Sequence, residues 1–310
     1  MVAKKLGGMM AIMETPLTSN GEIDANGLRR HTSHLIEGGT RALITNGGNA
    51  EAPSMSEEER KKVLEIVIDE ANGKVPVLSC TSHSSTRECI KLSRHAQDAG
   101  AEGVMVTPPY YGFYAELPDW AIFKHYEMLA NAVDIQIMLY SQKLIANQIV
   151  PWEVTADMAI RLVEKFDNIT CMKEVADIWK INILSKTLGN RFSPFCGNDP
   201  YLFAMMSAGA KGATISLPCV APKQTGDFFD AWEKGDITKA YKIYNRLLPL
   251  IYALYEPFST GPALLTKIAM KMLDIISSTK MRSTFWDIPV QKNWEANIRK
   301  ALEDLGLLGK

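Results

Sequence analysis

Short apolar runs and longer amphipathic stretches alternate along this chain. The runs are Met9–Met13, Ala42–Thr45, Val75–Cys80, Gly103–Thr107, Ile135–Tyr140, Ile169–Lys173, Phe192–Cys196 and Ala213–Leu217. Each has the length of one β-strand. The intervening stretches carry helical spacing. In Glu57–Ala71, Val63, Ile66, Val67 and Ile68 cluster among charges behind Ser56, a hydroxyl placed to cap the helix start. Arg87–Ala99 opens on Ser85 with Glu88 three residues later, a capping-box spacing. Gly100 then ends that helix and Gly103 opens the next strand. Further helices are predicted at Ala25–Ile36, Asp119–Ala132, Pro151–Glu164, Ile183–Leu188, Tyr201–Ala208 and Gln224–Glu233.

Repeated strand-then-helix units predict a parallel α/β fold. A doubly wound sheet and a closed barrel alternate alike. No G-x-G-x-x-G follows the first strand, and the units run on to about residue 235, which favours the (β/α)8 TIM barrel. Beyond it, Ile237–Tyr255, Gly261–Ile276 and Gln291–Leu307 read as helices with no strand between them. The expected organisation is a barrel over residues 1–235 and a C-terminal helical region over 236–310.

Composition narrows the function classes. A formal net charge of -1 over 310 residues provides no basic field, so neither nucleic acid nor an acidic membrane is an expected partner. The basic start, Met1-Val2-Ala3-Lys4-Lys5, leads into an apolar stretch that Glu14 soon interrupts, and no run approaches a membrane span. The five cysteines have no C-x-x-C spacing, and Cys80, Cys171, Cys196 and Cys219, in apolar surroundings, read as reduced core residues of a cytoplasmic protein. Of the five histidines, four fall on predicted helices and only His83 follows a strand; no pair has zinc-ligand spacing with a third ligand nearby. No metal and no organic cofactor is expected.

In a (β/α)8 barrel the chemistry sits at the C-terminal strand ends and the loops beyond them. Lys173 ends the sixth run, Ile169-Thr170-Cys171-Met172-Lys173-Glu174. A lysine here either snorkels out of the strand end to solvent or is buried; burial disfavours an ammonium, and the neutral amine it leaves condenses with carbonyls to a Schiff base. Alternation puts Lys173 on the face of Cys171 and Ile169, with Glu174 opposite as a structural anchor. Tyr140 ends the neighbouring fifth run; a phenol with a pKa of about 10 can relay a proton without being a strong base. After the second run, Thr45-Asn46-Gly47-Gly48-Asn49-Ala50-Glu51 offers backbone N–H groups to an anion. Thr107-Pro108-Pro109-Tyr110-Tyr111-Gly112 is a stiff turn after the fourth.

Taken in order, Gly-x-x-x-Glu after the second strand, Pro-Pro-Tyr-Tyr after the fourth, Leu-Tyr ending the fifth and Lys-Glu ending the sixth resemble the dihydrodipicolinate synthase / N-acetylneuraminate lyase family. Thr15-Pro16-Leu17, Gly197-Asn198-Asp199 and Ile215-Ser216 add to the likeness, which covers nearly the whole chain. The resemblance implies a class I lyase or aldolase acting on pyruvate or a related 2-oxo acid, usually as a homotetramer. It makes Lys173 the Schiff-base lysine, Tyr140 the proton shuttle and Tyr111 the tyrosine that reaches a neighbouring subunit's site. It assigns Gly48, Asn49, Gly197 and Ile215 to substrate binding, the Gly47–Glu51 loop holding the 2-oxo acid carboxylate. Three features depart from the family pattern. Gly48 stands where a hydroxyl usually links the two tyrosines, Ser141-Gln142-Lys143 replaces Asn-x-Pro after Tyr140, and Ile145 replaces an arginine that grips a second carboxylate. The last change loses a bidentate clamp. The alternatives that follow are a 2-oxo-3-deoxy sugar acid dehydratase or aldolase, then the true 4-hydroxy-tetrahydrodipicolinate synthase, then a non-catalytic barrel that binds a 2-oxo acid.

Overall fold

A computed structural model describes residues 6–109, 117–142, 153–255, 262–282 and 290–309. Eight strands, β1 (Gly8–Ile12), β2 (Ala42–Thr45), β3 (Val77–Cys80), β4 (Gly103–Val106), β5 (Gln136–Ser141), β6 (Ile169–Glu174), β7 (Ser193–Cys196) and β8 (Gly212–Ile215), follow one another in the order of a closed barrel. Each is followed by a helix: α1 (Ala25–Glu37), α2 (Glu57–Ala71), α3 (Thr86–Asp98), α4 (Asp119–Ala130), α5 (Ala156–Lys165), α6 (Ile178–Leu188), α7 (Leu202–Ser207) and α8 (Pro222–Glu233). Parallel neighbours require such crossovers. Then α9 (Ile237–Tyr255), α10 (Pro262–Met272) and α11 (Lys292–Asp304) follow without a strand. The fold is a (β/α)8 TIM barrel with C-terminal helices.

By packing, the chain forms two compact units, Met1–Gly8 with Pro76–Thr214, and Met9–Val75 with Ile215–Lys310. The first carries the parallel ladders from β3 to β8. Its strands are apolar because both faces are covered: Val104, Met105, Val106, Ile137, Met138 and Leu139 are fully buried. The β5–β6 register steps from Ile137↔Ile169 to Met138↔Cys171 and so passes over Thr170. This bulge interrupts the alternation expected from Ile169 to Lys173, and only the part from Cys171 onward carries to the strand end. Thr170 instead donates its hydroxyl to Gln136 Oε1 at 3.0 Å. Gly212 opens β8 at φ 156°, where a Cβ would lie 2.2 Å from the Gly8 carbonyl oxygen, so only glycine fits.

In the second unit β1 pairs with β2 from Met10↔Ala42 to Ile12↔Ile44. Ser56 and Glu59 form the full capping box of α2, with Glu59 N–H donating to Ser56 Oγ at 3.2 Å and Ser56 N–H to Glu59 Oε2 at 2.9 Å. Helix starts are where the sequence reading missed most. In the first unit α5 begins at Ala156, where Thr155 Oγ1 accepts from Met158 N–H at 3.2 Å, later than the expected Pro151, which lies outside the described residues. There too α6 begins at Ile178, five residues before the expected Ile183, because Asp177 caps it by accepting from Lys180 N–H at 2.9 Å.

Candidate active site

In the first unit the register pairs Tyr140 with Lys173 and Ser141 with Glu174 at the ends of β5 and β6. The Lys173 ammonium lies 4.6 Å from the centroid of the Tyr140 ring, within cation–π range. Lys173 is 7% exposed. Burial pulls its pKa from 10.5 down to about 8, against the opposing pull of Cys80, Asp199 and Cys196. A lysine in this state supplies an appreciable fraction of neutral amine near pH 8, which a nucleophile for a carbonyl requires. Burial, with Cys80 and Glu174 adding to it, pushes the Tyr140 phenol above its ordinary value. That phenol stays protonated and donates to Gln142 Oε1 at 2.9 Å.

Gly197 makes room for the amine. Its N–H donates to the Glu174 carbonyl at 2.7 Å. A Cβ here would fall 2.7 Å from both Cγ and Cε of Lys173, so any side chain would push the lysine stem aside. Asp199, 1% exposed, supplies the nearby negative charge. Glu174, fully buried, accepts through Oε1 from the N–H groups of Val175, Ala176 and Asp177 at 2.9, 3.0 and 3.0 Å. The structural-anchor reading of Glu174 fits that geometry. All five cysteines are buried and outside any disulfide. Burial raises Cys171 and Cys196 to about 12, so both thiols are protonated and poor nucleophiles.

In the second unit Asn46 and Glu51 take left-handed backbone angles, φ 59° and 60°, on either side of Gly47–Ala50. Glu51 N–H donates to Gly48 O at 3.0 Å, which closes the turn. Asn49 Nδ2 donates to Ser216 Oγ, and Ile215, buried, ends β8 just before that serine. Glu51 holds the turn from beyond: Oε1 accepts from Lys267 Nζ and Oε2 from Arg282 N–H, both at 2.6 Å. Glu14 is fully buried beside this pair, with neither oxygen hydrogen-bonded among the described residues. Burial first, then Glu51, push its pKa well above the usual carboxylate range, with Lys267 pulling the other way.

Sequence reasoning selected Lys173, Tyr140 and Gly197, which the first unit brings together, and Gly48, Asn49 and Ile215, which lie in the second. Tyr111 lies outside the described residues. It missed Gln142, Asp199 as the charge near Lys173, and the buried Glu14 and Lys267. For the last two, the available signal was a charged residue inside an apolar run.

The sequence profile of the dihydrodipicolinate synthetase family matches residues 5–305. The chain belongs to this family. A 4-hydroxy-tetrahydrodipicolinate synthase from Bradyrhizobium diazoefficiens is 30% identical over 313 residues, covering 99% of this chain and 100% of that protein. A chloride-inhibited dihydrodipicolinate synthase from Acinetobacter baumannii, solved with pyruvate, superposes with a TM-score of 0.88 at 26% identity, covering 98% of this chain and 100% of the other. A prophage protein of the same family from E. coli, also in complex with pyruvate, gives a TM-score of 0.86 at 27% identity over 98% of this chain and 99% of its own. As a member of the dihydrodipicolinate synthetase family, the chain is a lyase of the class I pyruvate-aldolase type. Among the described residues no helix is long and apolar enough to cross a membrane.

Proposed function

We propose that Lys173 forms the Schiff base with pyruvate or a related 2-oxo acid and that Tyr140 moves the proton. The carrying observation is the buried Lys173 amine, its pKa drawn down to about 8, over the Tyr140 ring at 4.6 Å. Lys173 Nζ attacks the keto carbon, the carbonyl oxygen leaves as water, and the iminium becomes the electron sink for cleavage, condensation or dehydration. Tyr140 donates to and recovers a proton from the carbinolamine oxygen or a substrate hydroxyl. In the second unit the resemblance gives carboxylate recognition to the Gly47–Glu51 loop with Gly48 and Asn49, supported by the folded-back turn at Glu51, and substrate binding to Ile215. The resemblance likewise supports a homotetramer, with Tyr111 serving a neighbouring subunit, and the buried cysteines, none in a disulfide, support a cytoplasmic setting.

The second substrate in this reading is not aspartate semialdehyde. Ile145 stands where a clamp arginine would be, and an apolar side chain leaves a carboxylate partly desolvated without compensation. Similarity to 4-hydroxy-tetrahydrodipicolinate synthases favours a rival reading, the synthase condensation itself. One experiment tests the core of both: pyruvate plus borohydride, followed by mass mapping of the reduced adduct. The expected result is a single adduct on Lys173, absent in Lys173→Arg. Labelling on another lysine, or none with any 2-oxo acid, overturns the assignment. Turnover of pyruvate with aspartate semialdehyde at a specificity constant of about 10⁴ M⁻¹s⁻¹ or more would restore the synthase reading.

A further inference from the structure

Directly beyond the candidate pair lies a second buried lysine that the proposed chemistry leaves unused. Lys180, on the first turn of α6, is 3% exposed. Its ammonium donates to Ser141 Oγ at 3.0 Å and forms ion pairs with Glu174 Oε2 at 2.9 Å and Glu153 Oε1 at 3.2 Å. The ammonium therefore gives one hydrogen bond to Ser141 and meets two carboxylates as ion pairs. Two of those groups come from register partners on adjacent strands: Ser141 follows Tyr140, and Glu174 follows Lys173. We infer that Lys180 is a positioning residue, a clasp that joins the ends of β5 and β6 and so fixes Tyr140 against Lys173.

The surrounding bonds give the clasp something rigid to hold. Glu174 Oε1 is already committed to three successive N–H groups, so pulling on Oε2 transmits directly to the β6 end. The Glu174 carbonyl accepts from Gly197 N–H at 2.7 Å, and Gly197 is the residue that bounds the Lys173 stem. On the β5 side, Ser141 Oγ accepts from Val154 N–H at 3.2 Å and donates to the Val154 carbonyl at 3.3 Å. Ser141 is one of the residues that departs from the family pattern after Tyr140. Besides its two bonds to Val154, its hydroxyl takes the Lys180 ammonium that reaches it from α6. Alternation along each strand turns Ser141 and Glu174 away from Tyr140 and Lys173. Lys180 therefore acts on the pair through backbone, without touching it.

This inference rests on Lys173 being the Schiff-base lysine, and the test separates the two. The rate of pyruvate trapping by cyanoborohydride is measured against pyruvate concentration for the wild type, Ser141→Ala and Lys180→Met. A misplacement of catalytic groups by about 1 Å costs up to roughly a hundredfold. In Lys180→Met the maximal trapping rate should fall roughly ten- to hundredfold, with the half-saturating pyruvate concentration changed less than about threefold. Ser141→Ala keeps the Lys180–Glu174 ion pair and should lower the maximal rate by a smaller factor in the same direction. If Lys180→Met fails to fold because Glu174 loses its counter-charge, Ser141→Ala alone decides. Wild-type maximal rates in the folded variants, or a raised half-saturating concentration at an unchanged maximal rate, would overturn the clasp while leaving the Schiff-base reading intact. A wild-type protein that traps no 2-oxo acid removes both.

Discussion

Replacing Lys173 by methionine should make the protein more stable at neutral pH while abolishing its chemistry. Burial lowers the Lys173 pKa from 10.5 to about 8. At about 1.4 kcal/mol per pH unit, holding the buried ammonium at pH 7 costs about 3 kcal/mol of folding free energy. Methionine keeps the apolar stem and volume without the charge, so the net gain at pH 7 is about 3 kcal/mol. For a chain of this length that is a rise in Tm of about 5 °C. The sign with pH follows from linkage. Below the folded pKa of about 8 both folded and unfolded chains carry the charge and the penalty is complete. Between there and 10.5 the unfolded chain binds more protons than the folded one, so wild-type stability climbs towards that of the variant. Thermal melts of both proteins at pH 7 and pH 10 read this out, with the difference shrinking at the higher pH. A variant that is less stable at pH 7, or a difference that does not change with pH, would refute the idea that Lys173 is held against a desolvation penalty.

The same lysine sets a pH profile: the initial rate of pyruvate trapping should rise with pH and level off through an inflection near 8, whereas one near 10 would mean an unperturbed amine. Tyr140→Phe should retain pyruvate labelling at equilibrium but slow turnover roughly a hundred- to ten-thousandfold; a loss of only a few-fold would make Tyr140 a rim aromatic. Glu14, fully buried and pushed up by burial, stays protonated after its unfolded counterpart has ionised. The stability of its neutral form is complete below the unfolded pKa and is lost as pH rises towards the folded one. Glu14→Gln should therefore gain on the wild type as pH rises above the ordinary carboxylate range, by up to about 1.4 kcal/mol per pH unit in chemical denaturation; a pH-independent difference would count against a neutral Glu14. At Gly48 a Cβ would meet nothing within 4 Å, so Gly48→Ser should be neutral or stabilising by up to about 1 kcal/mol, and a clear drop in Tm would contradict that open space.

Much of the architecture was written in the periodicity. Strand-length apolar runs separated by capped amphipathic stretches specify βα repeats, since local patterning and capping depend on residues a few positions apart. Helix α2 came out at Glu57–Ala71, the predicted bounds, because its box of Ser56 and Glu59 is local. The motif order likewise singled out Lys173 and Tyr140 as residues ending neighbouring strands. What the sequence did not contain was everything set by packing across distance. The bulge at Thr170 depends on how β6 meets β5, and the start of α6 depends on Asp177 turning to cap it. Whether Lys173 is a solvated strand-end lysine or a dry amine depends on the water excluded around it, and no local pattern encodes burial. Lys180 reads as one more charge on a helix until the fold brings Ser141, 39 positions away, to its ammonium. Lys267 reaches Glu51 across 216 positions, and only that closure turns two charges distant in the chain into a buried ion pair beside Glu14, whose pKa burial raises. Desolvation and long-range pairing belong to the folded chain, and they determine which of its lysines can act as a nucleophile.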